Sequence, residues 1–556
     1  MYRIYVHSFK DSNEDGIGDL EGIQSHIDHL MYMGVDAVIF SPFMESPMLD
    51  MGRDISDFKA VHKPYGDMHQ VEKLFEELQE RNIKIIIEII PNHTSRHHKW
   101  FQESRKGGAR NTFKGYYIWD DGRILKNGSR VPPSNWVSKY GGSAWSWDEQ
   151  RQQYYYHHYH PSMPDLNHRD PYVREDFIDV FRFWLEKGAD GILVSDMQVL
   201  FESEEVNVDE PLSELPGVPP GDYRYVDHIF TEDQPDIHEF IAAWREFFEG
   251  YSLRTNKKIA FLVDAGDDEV DDLMKYYITG ADASISKSLT SIDGACGGLC
   301  VQEKVDTWLS HMPDERDALW MLGSPEKSRM SRTKGVMYQS ALNLLMLLLP
   351  GAAITYYGEE IGLNETPVKY EDLRDPWAHR LGPDKYAAVC RDSARGPMPW
   401  MSGRYAAFTL GDKPWMPLNA DYKTLNVEKQ KHDPSGCSPL QLFHRLSRLR
   451  KEVSFQYGRL QYAIINANIF SFMRFAKDSA PYLVSMNFGS VESTDDYSVA
   501  SGVAIGKVVA HARPNQSDKY NPKIREGMKV GLEKLTLQPG EGVVVVLLME
   551  MQFEPM

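Results

Sequence analysis

Four oxygen-bearing side chains stand where apolar runs end. Ser195 and Asp196 follow Gly191-Ile192-Leu193-Val194, Asp264 follows Phe261-Leu262-Val263, and Glu326 closes Ser324-Pro325-Glu326 after the run 318–322. Carboxylates in such positions act as acid and base, or activate a water when they stand about 6.5–9.5 Å apart. A serine hydroxyl with no base beside it is a poor nucleophile at neutral pH. Side chains alternate along a strand, so period two predicts that Asp196 faces away from the side Ser195 occupies. A second cluster has another chemistry: Asp11, Asn13, Asp15, the carbonyl of Ile17 and Asp19 alternate around Gly16. Oxygen donors at every second position of a tight loop suit a hard cation such as Ca2+, as in the first nine positions of an EF-hand loop. Position twelve would be Gly22, without the bidentate Glu, so an EF-hand proper is not implied. The plainer alternative is an acidic turn, since Asp, Asn and Gly favour turns.

The elements that must position these groups follow from patterning. Apolar, β-rich runs alternate with amphipathic helices, as a parallel sheet covered by helices requires. The strand candidates are 1–6, 35–40, 83–90, 191–195, 259–264, 318–322 and 353–357. Between His93 and His168 the chain turns aromatic and loop-rich, with Tyr154-Tyr155-Tyr156-His157-His158-Tyr159-His160 inside it. After a helix-like stretch at 440–452, alternating segments at 469–475, 482–487 and 543–548 predict a terminal all-β domain.

Composition bounds the function classes. At 556 residues, 42% hydrophobic, the chain buries a sizeable core and holds more than one domain. Its 61 basic and 81 acidic residues give −20, which speaks against nucleic acid and anionic membrane as partners. The most apolar stretch, 342–357, contains Asn343 and Pro350 and reads as a core helix running into a strand, not a membrane span. No signal peptide is visible, and a leader or anchor before Met1 stays open. Four cysteines are too few for a disulfide scaffold, but Cys296 and Cys300 flank a loop short enough to be bridged. Sequons at Asn127, Asn364 and Asn515, with a fourth at Asn92, point to an extracellular or secreted life.

Ordered motifs then carry a resemblance. His7-Ser8-Phe9-Lys10-Asp11-Ser12-Asn13-Glu14-Asp15-Gly16-Ile17-Gly18-Asp19-Leu20, Ile55-Ser56-Asp57-Phe58, Pro91-Asn92-His93-Thr94-Ser95, Pro133-Ser134-Asn135-Trp136, Pro164-Asp165-Leu166-Asn167 and Tyr356-Tyr357-Gly358-Glu359-Glu360-Ile361-Gly362 are similar to the α-amylase superfamily (glycoside hydrolase family 13). The nearest likeness is to its maltase and α-glucosidase branch, which includes invertebrate maltases and amino-acid-transporter heavy chains. The resemblance implies an α/β fold: a (β/α)8 TIM barrel over 1–92 and 169–453, an inserted domain B over 93–168 after the third strand, and a C-terminal antiparallel β-sandwich over 454–556. It places structural Ca2+ in the first loop and sugar contacts at Asp54, Asn92, His93 and Arg395. The plainer alternative for those four is a buried polar network that persists because removing one member strands the others.

This chain departs from the family pattern at the reacting positions. The family's Gly-Phe-Arg-Ile-Asp is Gly191-Ile192-Leu193-Val194-Ser195, its acid Glu is Asp264, and its Asn-His-Asp is Ser324-Pro325-Glu326. Its Gly-Tyr-Asp is Gly52-Arg53-Asp54, so a cation replaces an aromatic platform, and its closing Trp-Asp is Trp400-Met401. We therefore expect Arg53 to pair with Asp54, Asp264 or Glu326, and Ser195, Asp264 and Glu326 to be degenerate positions of an inactive α-glucosidase-like protein. The expected role is binding, scaffolding or storage, with a protein or carbohydrate partner or a second copy of the chain. Two alternatives stand beside it: the ectodomain of a transporter heavy chain with a membrane-protein partner, and a weak or altered α-glucosidase using Asp264 and Glu326.

Overall fold

A computed structural model describes residues 1–266, 269–515, 520 and 523–548. Eight parallel strands close a barrel in sequence order: β1 (Tyr2–Ile4), β2 (Ala37–Phe40), β3 (Lys84–Ile89), β4 (Gly191–Ser195), β5 (Ala260–Asp264), β6 (Ala283–Ser286), β7 (Leu319–Met321) and β8 (Ala352–Tyr356). Runs such as Ile85-Ile86-Ile87 are apolar on both faces because one face fills the barrel and the other meets the surrounding helices. Inside, Ala37, Ile39, Ile86, Leu193, Leu262, Ile285, Leu319, Met321 and Ile354 form a closed apolar layer. Outside, the helix Met68–Glu80 buries Val71, Leu74, Phe75 and Leu78, a 3-4-7 spacing that makes one stripe. Asp67 and Gln70 close its first turn as a capping box.

Seven strands lie where the sequence predicts: five are shortened by a residue or two at their ends, β4 coincides with its run, and β8 is shifted by one residue. The sixth has no counterpart among the predicted runs, because Ala283-Ser284-Ile285-Ser286 contains one large apolar residue and two serines. Pairing on both sides, Leu262↔Ala283 towards β5 and Ile285↔Leu319 towards β7, makes it a strand despite that composition.

The aromatic stretch after β3 forms a small sheet of Trp119–Asp120, Gln153–Tyr156 and Trp145–Asp148, with Ile118, Trp136, Trp145 and Tyr156 at its centre. The C-terminal part is a six-stranded antiparallel sheet beside the two-stranded pair Ser493–Asp495 and Leu535–Leu537. Cys296 and Cys300 are disulfide-bonded. Lys334 ties that loop to the C-terminal sheet, donating to the carbonyls of Cys296 at 2.5 Å and Phe488 at 3.0 Å. Among the described residues no helix is long and apolar enough to cross a membrane.

One buried carboxyl in the turn after β8 makes stability depend on pH. Glu359 accepts from the Tyr356 amide at 2.8 Å, its other oxygen has no partner among the described residues, and burial pushes it up to about 8. A raised carboxyl keeps its proton when folded and loses it when unfolded, so stability declines as pH rises from about 4.5 towards 8. Glu359→Gln should flatten that slope in melting curves recorded from pH 5 to 8. The gain should be on the order of 2–3 kcal/mol at pH 7 and close to nothing at pH 4.5.

Candidate active site

The alternation that fills the barrel with apolar side chains places a polar layer above them. Arg3, Glu88, Ser195 and Asp264 share the inward face with the residues two positions earlier on their strands. Arg3 donates to Glu88 Oε1 at 2.6 Å, and both side chains are 2% exposed. Ser195 donates to the same oxygen at 2.8 Å, so its hydroxyl is engaged inside the barrel and not aimed at a substrate. Asp264 stands 4.0 Å from Arg3 and 2.7 Å from Lys287 Nζ. Burial opposes the charge on Arg3, and Glu88 and Asp264 outweigh it.

Asp196 does not face away, and the period-two expectation is corrected here. The strand ends at Ser195, and Asp196 takes a left-handed backbone, φ 62° and ψ 35°. That conformation is uncommon outside glycine but within the range of Asp, and it breaks the alternation. Its carboxylate turns to Arg53, with which it forms an ion pair at the mouth of the barrel. Tyr159 lies against both: its hydroxyl is pushed up by burial and then by Asp196, and the Arg53 guanidinium sits 5.5 Å from its ring centre.

Around Arg53 the mouth is a network of guanidiniums and carboxylates. Arg53 reaches Asp50 at 3.6 Å and Glu326 at 3.9 Å; of the three expected partners, Glu326 is the one it approaches. Arg391 donates to Asp50 and Asp375 at 2.6 Å, to Glu326 at 2.7 Å and to the Tyr140 hydroxyl at 2.9 Å. Arg395 donates to Glu326 at 2.7 Å and to the Pro325 carbonyl at 2.9 Å. Burial pushes Glu326 up, but Arg395, Arg53 and Arg391 together hold it well below the usual carboxylate range.

The other residues placed at the sugar site form a buried frame beneath this network. Asp54, raised by burial to about 6, accepts from Ser46 Oγ and from the amides of Leu49 and Asp50, each at 3.0 Å. Asn92 donates to Asp165 at 3.0 Å, and a His93 ring nitrogen lies 3.2 Å from the Arg53 carbonyl. Burial, then Arg53, lowers His93 to about 4, so it is neutral at physiological pH. Asp54 and His93 thus hold the segment that carries Arg53.

In the first loop Asp11 accepts from the amides of Asn13, Glu14 and Gly16, Asn13 from Asp15, and Asp15 from Ile17. Asp19 accepts from the Ser12 amide and hydroxyl and from the Gly22 amide. Among the described residues no three His, Cys, Asp or Glu stand grouped to hold a metal ion, so the oxygens do not form a closed cage as they lie. Their chemistry suits a divalent cation all the same. Asp15 is pushed up by burial and also by the facing charges of Asp11 and Asp19, a repulsion such a cation would relieve.

Sequence reasoning missed Arg3, Glu88, Asp50, Asp375, Arg391 and Lys287. Glu88 was visible as the one charge within Ile85-Ile86-Ile87-Glu88-Ile89-Ile90, a position that demands a buried partner. Asp375 and Arg391 lie in the loop-rich stretch after β8, where no periodicity marks them.

A closed parallel barrel with carboxylates and guanidiniums gathered at the C-terminal ends of its strands has the layout of a barrel enzyme. The chain belongs to the α-amylase family: the family model for the alpha amylase catalytic domain matches residues 3–458. It is 37% identical over 507 residues to Maltase A1 of Drosophila melanogaster, covering 89% of this chain and 87% of that one. It is likewise 37% identical over 502 residues to a salivary alpha-glucosidase of Anopheles gambiae, covering 89% and 84%. The human amino acid transporter heavy chain SLC3A1 is 33% identical over 552 residues, 98% of this chain and 77% of that one. Among solved structures, the alpha-glucosyl transfer enzyme XgtA superposes with a TM-score of 0.83 at 28% identity, covering 98% of both chains. These relatives correct the expectation that the chain is not an enzyme. Maltase A1 and the salivary alpha-glucosidase, this similar over nearly the whole barrel, carry enzyme names, as does XgtA, which points to an enzyme here too.

Removing Arg391 leaves Asp50, Asp375 and Glu326 short of their shared cation. Arg391→Ala should cost about 3–5 kcal/mol in chemical denaturation, the usual effect of breaking a buried pair. An exposed pair such as Lys106–Glu103 should give less than about 1 kcal/mol in the same assay.

Proposed function

We propose that this chain is an extracellular enzyme acting on maltose-type α-glucosides with an altered pair of reacting carboxylates. In this reading Asp196 replaces Ser195 as the nucleophile and Asp264 is the acid and base. The observation that carries it is the left-handed turn at Asp196, which brings a carboxylate to the barrel mouth at the end of β4. The register pairs Ser195 with Asp264, so Asp196 follows directly on the residue beside Asp264.

A retaining mechanism needs two carboxyl groups about 5 Å apart. Asp196 would attack the anomeric carbon while Asp264 gives a proton to the leaving oxygen. Asp264 would then take a proton from the water that releases the glucosyl group. Arg53 stands on Asp196 and Lys287 on Asp264, so substrate must displace both contacts, and turnover should be slow. The salivary name of one relative supports the extracellular placement.

Slow release of glucose from maltose or from a chromogenic α-glucoside is the expected result. Asp196→Asn and Asp264→Asn should each lower the rate by about 10²–10⁴-fold without shifting the melting temperature by more than a few degrees. Full activity in Asp196→Asn, or none in the unaltered chain, would count against this assignment.

We further propose Ca2+ at the loop of Asp11, Asn13, Asp15, Ile17 and Asp19, fastening β1 to the helix that follows. Chelator should then lower the melting temperature and added calcium restore it, while Asp15→Asn should make the protein indifferent to both. An identical melting curve with and without chelator would remove calcium from the account.

A further inference from the structure

Four sequons are spelled by the sequence, and the fold treats them differently. Asn92 is 1% exposed and Thr94 fully buried, with Asn92 Nδ2 committed to Asp165 at 3.0 Å. Asn364 Nδ2 donates to Asp421 at 2.9 Å, and Thr366, whose hydroxyl completes that sequon, is 2% exposed. Asn515 Oδ1 accepts from Ser340 Oγ at 2.6 Å, and Ser517 of that sequon lies outside the described residues. Each of these carboxamides is tied into tertiary structure.

Asn127 is placed otherwise. It stands in the turn between Arg123–Ile124 and Arg130–Val131, two short strands paired as a hairpin, and residues 123–130 are all exposed. Gly128 takes φ +84°, and its amide donates to the Leu125 carbonyl at 2.8 Å, closing the turn. Asn127 Oδ1 accepts from the Ser129 amide at 3.0 Å and from the Ser129 hydroxyl, while Nδ2 has no partner among the described residues. These contacts polarise the carboxamide through its oxygen and leave its nitrogen free. Beside it, Ile124 is 68% and Leu125 47% exposed, apolar surface that nothing among the described residues covers.

We infer that Asn127 is the N-glycosylated residue of this protein, an inference that rests on the extracellular reading above. The donor is a lipid-pyrophosphate oligosaccharide. Asn127 Nδ2 forms a bond to the anomeric carbon of its first sugar, the bond from that carbon to the pyrophosphate oxygen breaks, and the amide gives up one proton. Lipid pyrophosphate leaves with the bonding electrons. The glycan then stands over Ile124 and Leu125 and hydrates an otherwise apolar hairpin tip. At Asn92 the same modification would place a sugar chain inside the barrel wall, so the folded protein does not carry it.

The full chain, translated into microsomes behind a cleavable leader, tests this. A single mobility shift removable by peptide N-glycosidase is expected, with the modified asparagine identified by mass spectrometry of the released peptide as Asn127. Asn127→Gln and Ser129→Ala should both abolish the shift, and Ser129→Thr should retain it, with unchanged melting in all three. A translocated, protease-protected chain without a shift, or a shift that persists in Asn127→Gln, would overturn the assignment. The leader supplies translocation, so failure bears on Asn127 alone; where the native chain travels is read separately, by its appearance in the medium of cells that express it.

Discussion

The contact between Arg3 and Glu88 sets the terms for everything above it in the barrel. Two charges, each 2% exposed, lie inside a ring of strands where neither has water. Removing one partner of such a pair would strand a buried charge. Ser195 adds a second donor to Glu88 Oε1 and Asp264 stands 4.0 Å from Arg3, while Glu88 Oε2 and Arg3 Nε have no hydrogen-bond partner among the described residues. A carboxylate at 195 would lie against Glu88, to which the serine hydroxyl instead donates. The serine thus suits the layer that the charges on β1 and β3 set.

A second consequence is the separation of two polar levels. The inner level is closed by the barrel wall and holds Arg3, Glu88 and Ser195. The outer level is carried by loops and holds Arg53, Asp196, Arg391, Arg395 and Glu326. Asp196 belongs to the outer level because its backbone turns as the strand ends. Adjacent residues in the chain therefore serve different levels, one bound into the core and one at the mouth.

The barrel was legible because it is written in periodicity, and periodicity survives in a single sequence. Seven strands were visible as apolar runs, and β6 was not, since Ser284 and Ser286 are buried by their neighbours and not by their own chemistry. The site was legible where motifs are local, as at Pro91-Asn92-His93. It was misread at Asp196, where a strand rule was applied one residue past the strand's end. Arg391 was invisible because it meets Asp50 across 341 residues of chain, and Asp375 because it joins the site only through Arg391; no local pattern encodes such a meeting. The inactive assignment compared residue types position by position, and it is overturned by enzyme-named relatives that match over most of the chain.

Arg391 also joins parts of the chain that could otherwise move apart, since Tyr140 belongs to the inserted region and Asp50 and Asp375 to the barrel loops. One guanidinium ties these segments together at the mouth, so a guest there would have to displace some of its contacts. Pairs this deep are weakly screened by salt. A guest can enter only by giving each displaced N–H an oxygen in return, for an unpaired buried donor costs about 1–3 kcal/mol. On the proposed function, a polyhydroxylated guest could make that exchange and a hydrocarbon could not, so the network would act as a chemical sieve.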